Sequence, residues 1–302
     1  MSTPLLDPAR PLTEIGGNLA RRRRIDHFMR GGSMAAALFA VAVLGLLIAT
    51  VVVHGASVIS ISFLTKDPAI GLGASGGGIA SAIVGTVLLI VVATAIAAPL
   101  GVLIAIYLTE FATQRFARPI RLALDLLNGT PSIVIGVFAY SLLVVGGFHH
   151  QTGFAASFAL AVIEIPLIAR ASGEMMSLVP KELRDASHGL GISRWRTILG
   201  IVLPGSLGGI VTGTVLAFAR AGGETAPLLF TSSIFSGSTT LNIFGAAIPN
   251  IPVTILQDSE SGFPSDHARA WGAALVLVVF ILIGNLSGRV MLARQRRRYQ
   301  AR

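Results

Sequence analysis

An all-α integral membrane protein with six transmembrane helices is the fold class this sequence predicts, and three observations predict it. The 302 residues are 53% hydrophobic and only 12% charged, with a mean hydropathy of +0.77, whereas soluble domains carry about 25% charged residues. Six apolar windows, long enough for the roughly 20 residues that a bilayer core demands, are separated by polar or Gly/Pro-rich breaks. The basic residues, 23 against 14 acidic for a net +9, gather in alternate connections, as they do at the cytoplasmic ends of membrane helices.

The windows run approximately over 34–54, 79–109, 130–148, 154–178, 206–230 and 270–290. The first is charge-free from Met34 through Val53 and follows an Arg-rich arm, 1–33. With no small-x-small cleavage site after it, the Arg21 to Arg24 run fits an uncleaved first helix better than a twin-arginine export signal or a nucleic-acid patch. The second window exceeds one bilayer thickness and has Pro99 near its middle, so a tilt or kink is expected. An amphipathic stretch, Arg118 to Leu127, runs through the helix-breaking Asn128-Gly129-Thr130-Pro131 into the third. In the fifth, Gly205, Gly209 and Gly213 form two overlapping small-xxx-small repeats, which predict close helix packing. A segment from Ser232 to Asp266 follows, with Ile248-Pro249-Asn250-Ile251-Pro252 and the acids Asp258, Glu260 and Asp266. It reads either as a contact for an external partner or as a plain surface loop. A basic tail, 291–302, follows the sixth window.

Placing the charges gives the orientation. Arg10, Arg21 to Arg24 and Arg30 lie in the arm, and Arg115, Arg118 and Arg121 lie in the second connection. Lys181, Arg184, Arg194 and Arg196 lie in the fourth connection, and Arg289, Arg294, Arg296, Arg297, Arg298 and Arg302 at the end. These share one side, while only Lys66 and Arg269 face the other, so both termini are expected in the cytoplasm.

Several function classes drop out. Neither lysine, Lys66 or Lys181, follows a glycine, so the chain has no Walker A phosphate cradle. With no cysteine there is no disulfide framework, thiolate nucleophile or Cys-based metal site. His149-His150 reads as a turn rather than a metal site, and Gly71 to Gly78 as a flexible entry to the second helix. No metal, no nucleic acid and no enzymatic centre is expected in this chain.

The remaining charges break the membrane rules. An ionisable group inside a span costs roughly 2.5–3.5 kcal/mol on insertion scales. Arg170 and Glu174 in the fourth span, with Glu164 upstream, and Arg220 and Glu224 in the fifth, stand at i and i+4, where they can pair on one helix face. The first pair is as consistent with self-neutralising packing as with function. The second sits in Ala219-Arg220-Ala221-Gly222-Gly223-Glu224-Thr225-Ala226-Pro227, where small residues admit a helix or solute and Pro227 frees a carbonyl. That composition suits a pathway lining, and a guanidinium fork suits an oxyanion.

The connection 180–204 carries the most specific pattern: Asp185-Ala186-Ser187-x-x-x-Gly191, nine residues, then Ile201-x-Leu203-Pro204. It resembles the EAA loop of ABC importer permeases, with Asp in place of Glu and Ser in place of the second Ala. A short helix ended by Gly191, with small Ala186 and Ser187 and with Trp195 and Ile198 as apolar anchors, would dock in a partner's groove. Pro204 would then begin the fifth membrane helix.

The run Ala219 to Thr231 is similar to the signature of PstA-type permease subunits of phosphate ABC importers. So are Ala98-Pro99-Leu100-Gly101 through Tyr107-Leu108-Thr109-Glu110-Phe111, and Asn128 through Gly136. The resemblance covers about residues 34–290; Phe111 replaces a common Tyr, and Arg170-Ala171-Ser172-Gly173-Glu174 lacks the more usual acidic pair. It implies a type I ABC importer (MetI-like) permease fold, a PstC-like sister permease, two PstB-like ATPases and a PstS-like phosphate-binding protein. ATP and Mg would belong to the ATPase. Arg220, Glu224, Thr225, Arg170 and Glu174 would line the substrate pathway, with Asp185, Ala186, Ser187, Gly191, Trp195 and Pro204 coupling to the ATPase. Pro99, Pro131 and Pro227 would kink helices. A permease for sulfate or another oxyanion, or a non-conducting scaffold that docks an ATPase, remain open readings.

Overall fold

The computed structural model describes residues 19–69, 76–233 and 240–300; the first part of the predicted flexible entry, with Gly71 and Gly73, lies outside the described residues. The chain divides into two units, Met1–Val52 and Val53–Arg302. In the first, α1 (Leu19–Gly55) is helical from within the basic arm onward; no proline falls between Arg24 and the apolar run, and the Gly31-Gly32 pair is carried within the helix. Its apolar residues, including Leu38, Phe39, Val41, Leu44 and Leu46, are exposed, as a lipid-facing helix requires.

The second unit begins with the short α2 (Ile61–Thr65), capped by Ser60. The helix α3 (Ala80–Ile106) continues into a π turn, Tyr107–Phe111, and Pro99 lies inside it without ending it. Next comes α4 (Gln114–Gly129), strongly amphipathic. It meets α5 (Ser132–Ala139) and its π continuation Tyr140–Phe148 at a 101° bend. Pro131 stands at the junction as the α5 N-cap, where its missing amide leaves no bond unmade. Among the described residues five helices are long and apolar enough to cross a membrane, and six if this bent pair forms one span.

The helix α6 (Gly153–Ser177) is the most enclosed, with Pro166 inside it and Thr152 capping it. It runs parallel to α3: Thr94 meets Glu164, Gly101 faces Ile168, and Thr109 meets Met176. The helices α7 (Lys181–Gly189) and α8 (Arg194–Thr197) form the following connection. Here the expected start at Pro204 is corrected: α8, the π turn Ile198–Val202 and α9 (Leu203–Gly222) form one continuous helix, Arg194–Gly222. A proline ring collides with the carbonyl four residues back, and widening the preceding turn to π geometry makes room for it.

The expected extent of that span, through residue 230, is corrected as well. It stops at Gly222, and α10 (Ala226–Thr231) is a separate short helix. Gly223 and Glu224 close tight turns onto the carbonyls of Arg220 and Ala221, which ends the α pattern. The helix α9 lies antiparallel to α6. Beta-carbons placed on Gly205, Gly209 and Gly213 would meet Val179, Met175 and Ala171 in turn, with no room at the last two. The small-residue repeat is therefore a seam between these two helices.

Residues 248–254, including the start of α11 (Ile251–Ser259), are buried in the bundle, so this part of the Ser232 to Asp266 segment is not a plain surface loop. Ile248, Asn250, Ile251 and Val253 are buried; Asn250 caps α11, and the Ile251 amide donates to the Thr86 hydroxyl at 2.9 Å. Asp258 and Asp266 are also buried, both held by Arg269, the first through bonds of 2.6 and 2.7 Å. The helix α12 (Pro264–Gln300) continues past the expected span end at 290 into the basic tail.

Candidate functional site

The antiparallel register of α6 and α9 fixes the depth of Arg220. Gly205, Gly209 and Gly213 step down α6 past Val179, Met175 and Ala171, and seven more residues bring Arg220 level with Glu164, near the middle of α6. Ala217 and Ala221 share one core cluster with Leu160, Ala161 and Ile90, in agreement with that register. Arg220 is nevertheless 48% exposed, and its Nε lies 3.4 Å from the Glu224 carboxylate, itself only 16% exposed. This pair spans the end of a helix instead of lying along one, because Glu224 falls in the Gly222–Thr225 break. Among the described residues the two terminal nitrogens of Arg220 donate to no protein oxygen. Thr225 caps α10, Pro227 follows two residues on, and Gly136 of α5 touches the Pro227 backbone. A half-exposed guanidinium at this depth is costly against lipid, roughly 2.5–3.5 kcal/mol on insertion scales.

At the same depth Glu164 is fully buried. One of its oxygens accepts a bond from the Thr94 hydroxyl at 3.2 Å, and the other has no partner among the described residues.

Closer to the 180–204 connection, the expected Arg170–Glu174 pairing is corrected. Arg170 bonds to Asp125 of α4, an acid outside the charged pairs that the sequence singles out, and Glu174 is left exposed one turn further along. The bend that lays α4 across the bundle brings Asp125 there, and a charge-assisted bond to it outcompetes a same-helix neighbour. Beneath lies a cavity of about 310 Å³ lined by Thr109, Arg121, Asp125, Arg170, Gly173 and Glu174.

The connection itself is a compact hairpin of helices. Gly191, with φ of +73°, takes the left-handed position after α7 that a side chain resists. Asp185 and Ala186 are exposed. Ser187 turns inward and bonds to Thr197 at 2.7 Å, so it staples the two limbs together and is not available as a docking surface. Ile198 is likewise buried, while Trp195 is exposed on one face and packs its ring on Phe111 at 5.2 Å. Arg184, notable in the sequence only for its charge, bonds to Glu110 at 3.0 Å with little of either side chain exposed. Pro204 lies two residues into α9, behind the π turn. No group of three or more metal-ligating side chains occurs among the described residues.

This arrangement is shared with known proteins. Residues 97–300 match the family described as binding-protein-dependent transport system inner membrane component. The chain is 39% identical over 282 residues, 92% of its length and 93% of the relative's, to the phosphate transport system permease protein PstA of Yersinia pestis. It is 38% identical over 74% of its length to PstA 1 of Mycobacterium tuberculosis (strain ATCC 25618 / H37Rv), covering 72% of that protein. In fold it is similar to a bacterial alginate ABC transporter solved with its alginate-loaded periplasmic protein, at TM-score 0.65 and 14% identity, over 92% of this chain and 98% of that one. The MetNI methionine ABC transporter is also similar, at TM-score 0.56 and 18% identity over 72% and 94% of the two chains. The chain, a bundle of apolar helices with a helical hairpin between its fourth and fifth spans, thus belongs to the inner membrane components of binding-protein-dependent transport systems, and within them to the PstA-type permeases.

Proposed function

We propose that the chain is the permease subunit of an ATP-driven phosphate importer in the cell membrane of a prokaryote. The observation that carries the reading is Arg220: a guanidinium near the middle of the bundle, half-exposed, with its outer fork unoccupied. The relatives named as phosphate permeases support phosphate as the anion. A PstC-like sister permease covers the Arg220 face and completes the path. Two PstB-like ATPases dock on the 180–204 hairpin, a PstS-like protein delivers phosphate from outside, and both termini are cytoplasmic. ATP hydrolysis belongs to the ATPase subunits, since no lysine here follows a glycine.

Arg220 transiently neutralises the phosphate while Glu224 holds the guanidinium in place. The single Nε contact at 3.4 Å is longer than a strong charge-assisted bond, so the arginine keeps its fork for the passing anion. Glu224 also accepts a hydrogen bond from the substrate's own P–OH. Fully ionised sulfate has no such proton and meets only repulsion there.

Uptake of labelled phosphate and sulfate by the reconstituted complex tests this. Arg220→Gln is expected to lower phosphate uptake at least tenfold with assembly intact, and unchanged uptake would remove Arg220 from the path. Glu224→Gln is expected to narrow the preference for phosphate over sulfate; loss of assembly instead would make the pair a packing device.

A further inference from the structure

The helix α3 is gripped at both ends, by the 180–204 hairpin at one and by the 248–251 segment at the other. At one end, three consecutive residues of its terminal π turn meet the 180–204 hairpin and the end of α6. Thr109 approaches the Met176 sulfur at 3.7 Å. Glu110 accepts from Arg184 Nε and Nη2 at 3.2 and 3.0 Å. Phe111 holds Trp195 on its ring, with the Arg194 guanidinium 5.0 Å from the ring centre. Arg184 belongs to α7, and Trp195 and Arg194 belong to α8, so one π turn holds both limbs of the hairpin. The Arg184 guanidinium also donates to the carbonyls of Val179 and Met176 at 2.7 and 2.8 Å, which ties in the end of α6.

At the other end, the Thr86 hydroxyl accepts the Ile251 amide at 2.9 Å, and Gly85 lies directly under the Pro249 backbone with no room for a methyl group. Ile79 and Ala80 donate to the carbonyls of Phe63 and Lys66. Between the grips runs an unbroken helix of 27 residues, about 40 Å long at 1.5 Å per residue.

We propose that α3 is the strut that carries ATPase-driven movement of the coupling hairpin across the membrane to the 248–259 segment, and that Glu110 and Phe111 are its positioning residues. This rests on the reading of 180–204 as the ATPase-docking hairpin, and goes beyond it by naming which helix receives the motion and where it is delivered. Buried, directional contacts suit this role. A guanidinium shared between a carboxylate and two carbonyls resists both shear and rotation, and π turns concentrate at functional positions in helices. A chain of packed and bonded groups supports coupling between distant sites only if altering a link changes the coupling itself.

The test uses the complete reconstituted complex with its sister permease, ATPases and binding protein, comparing ATPase activity with and without phosphate-loaded binding protein. Glu110→Gln keeps an acceptor for Arg184 but removes the charge, and is expected to reduce the stimulation ratio at least twofold. The double variant Glu110→Gln, Phe111→Leu, which loosens both limbs, is expected to reduce it at least tenfold. In both, the ATPase subunits should co-purify at the normal ratio. At the far end, Thr86→Val is expected to lower stimulation at least twofold without changing basal hydrolysis. Full stimulation in the double variant overturns the proposal, and so does loss of ATPase co-purification, which would make Glu110 and Phe111 only supports for the hairpin's fold. Asp185→Lys, on the exposed side of α7, tests the underlying reading separately. If co-purification and stimulation both survive that change, the hairpin is not the docking site.

Discussion

Glu164 has no cation beside it, although it lies fully buried at the level of Arg220. Thr94 satisfies one oxygen and nothing among the described residues satisfies the other. A neutral amide of the same shape keeps that bond, so Glu164→Gln is expected to change complex stability by less than about 1 kcal/mol. Glu164→Ala removes the side-chain volume and strands the Thr94 hydroxyl, at an expected cost of about 2–4 kcal/mol. Thermal unfolding of the purified complex separates the two, and an equal loss in both would mean the charge itself is needed. Arg220 and Glu164 are conspicuous in the sequence because any ionisable residue in an apolar window is. Their partners were less legible. The i,i+4 rule paired Arg170 with Glu174, yet Asp125 wins from 45 residues away, and Thr94 looks like any other small residue of an apolar helix.

The α6–α9 seam gives a sharper contrast within one element. A methyl group at Gly205 would make an ordinary contact with Val179, whereas at Gly213 it would run into the Ala171 methyl. Gly205→Ala is therefore expected to cost under about 0.5 kcal/mol and Gly213→Ala about 1–3 kcal/mol, again by thermal unfolding. The helix α11 depends on a different lock. Asp258→Ala leaves the partly buried Arg269 with Asp266 alone, an expected loss of about 3 kcal/mol, visible as faster hydrogen exchange over 251–259. The seam was readable because small-xxx-small spacing is a local signal. The burial of 248–254 was not, since its partners Gly85 and Thr86 lie some 165 positions earlier and leave no periodic trace. The helix break after Gly222 is written in Gly222-Gly223 and Pro227, but the apolar stretches on either side, up to Ala219 and from Leu228 on, let one window run across it.

For the whole molecule, the spans were legible because lipid asks little of a helix beyond length and apolarity, while the order of packing had to come from the fold. Orientation is directly testable, because the chain has no cysteine. Leu190 and Leu241, 79% and 72% exposed, stand on the two sides. A membrane-impermeant thiol reagent is expected to label Leu241→Cys in intact cells and Leu190→Cys only in inverted vesicles; the opposite pattern would invert the topology. The placement of Arg269 has a consequence for how the chain reaches the membrane. Between Ser232 and Arg269 three acids stand against one arginine, a formal charge of −2. An inside-negative potential drives such a segment outward by about 2.3 kcal/mol per charge per 100 mV. In the proposed orientation the cell's own electric field therefore favours the outward placement of this segment, whose Asp258 and Asp266 hold Arg269.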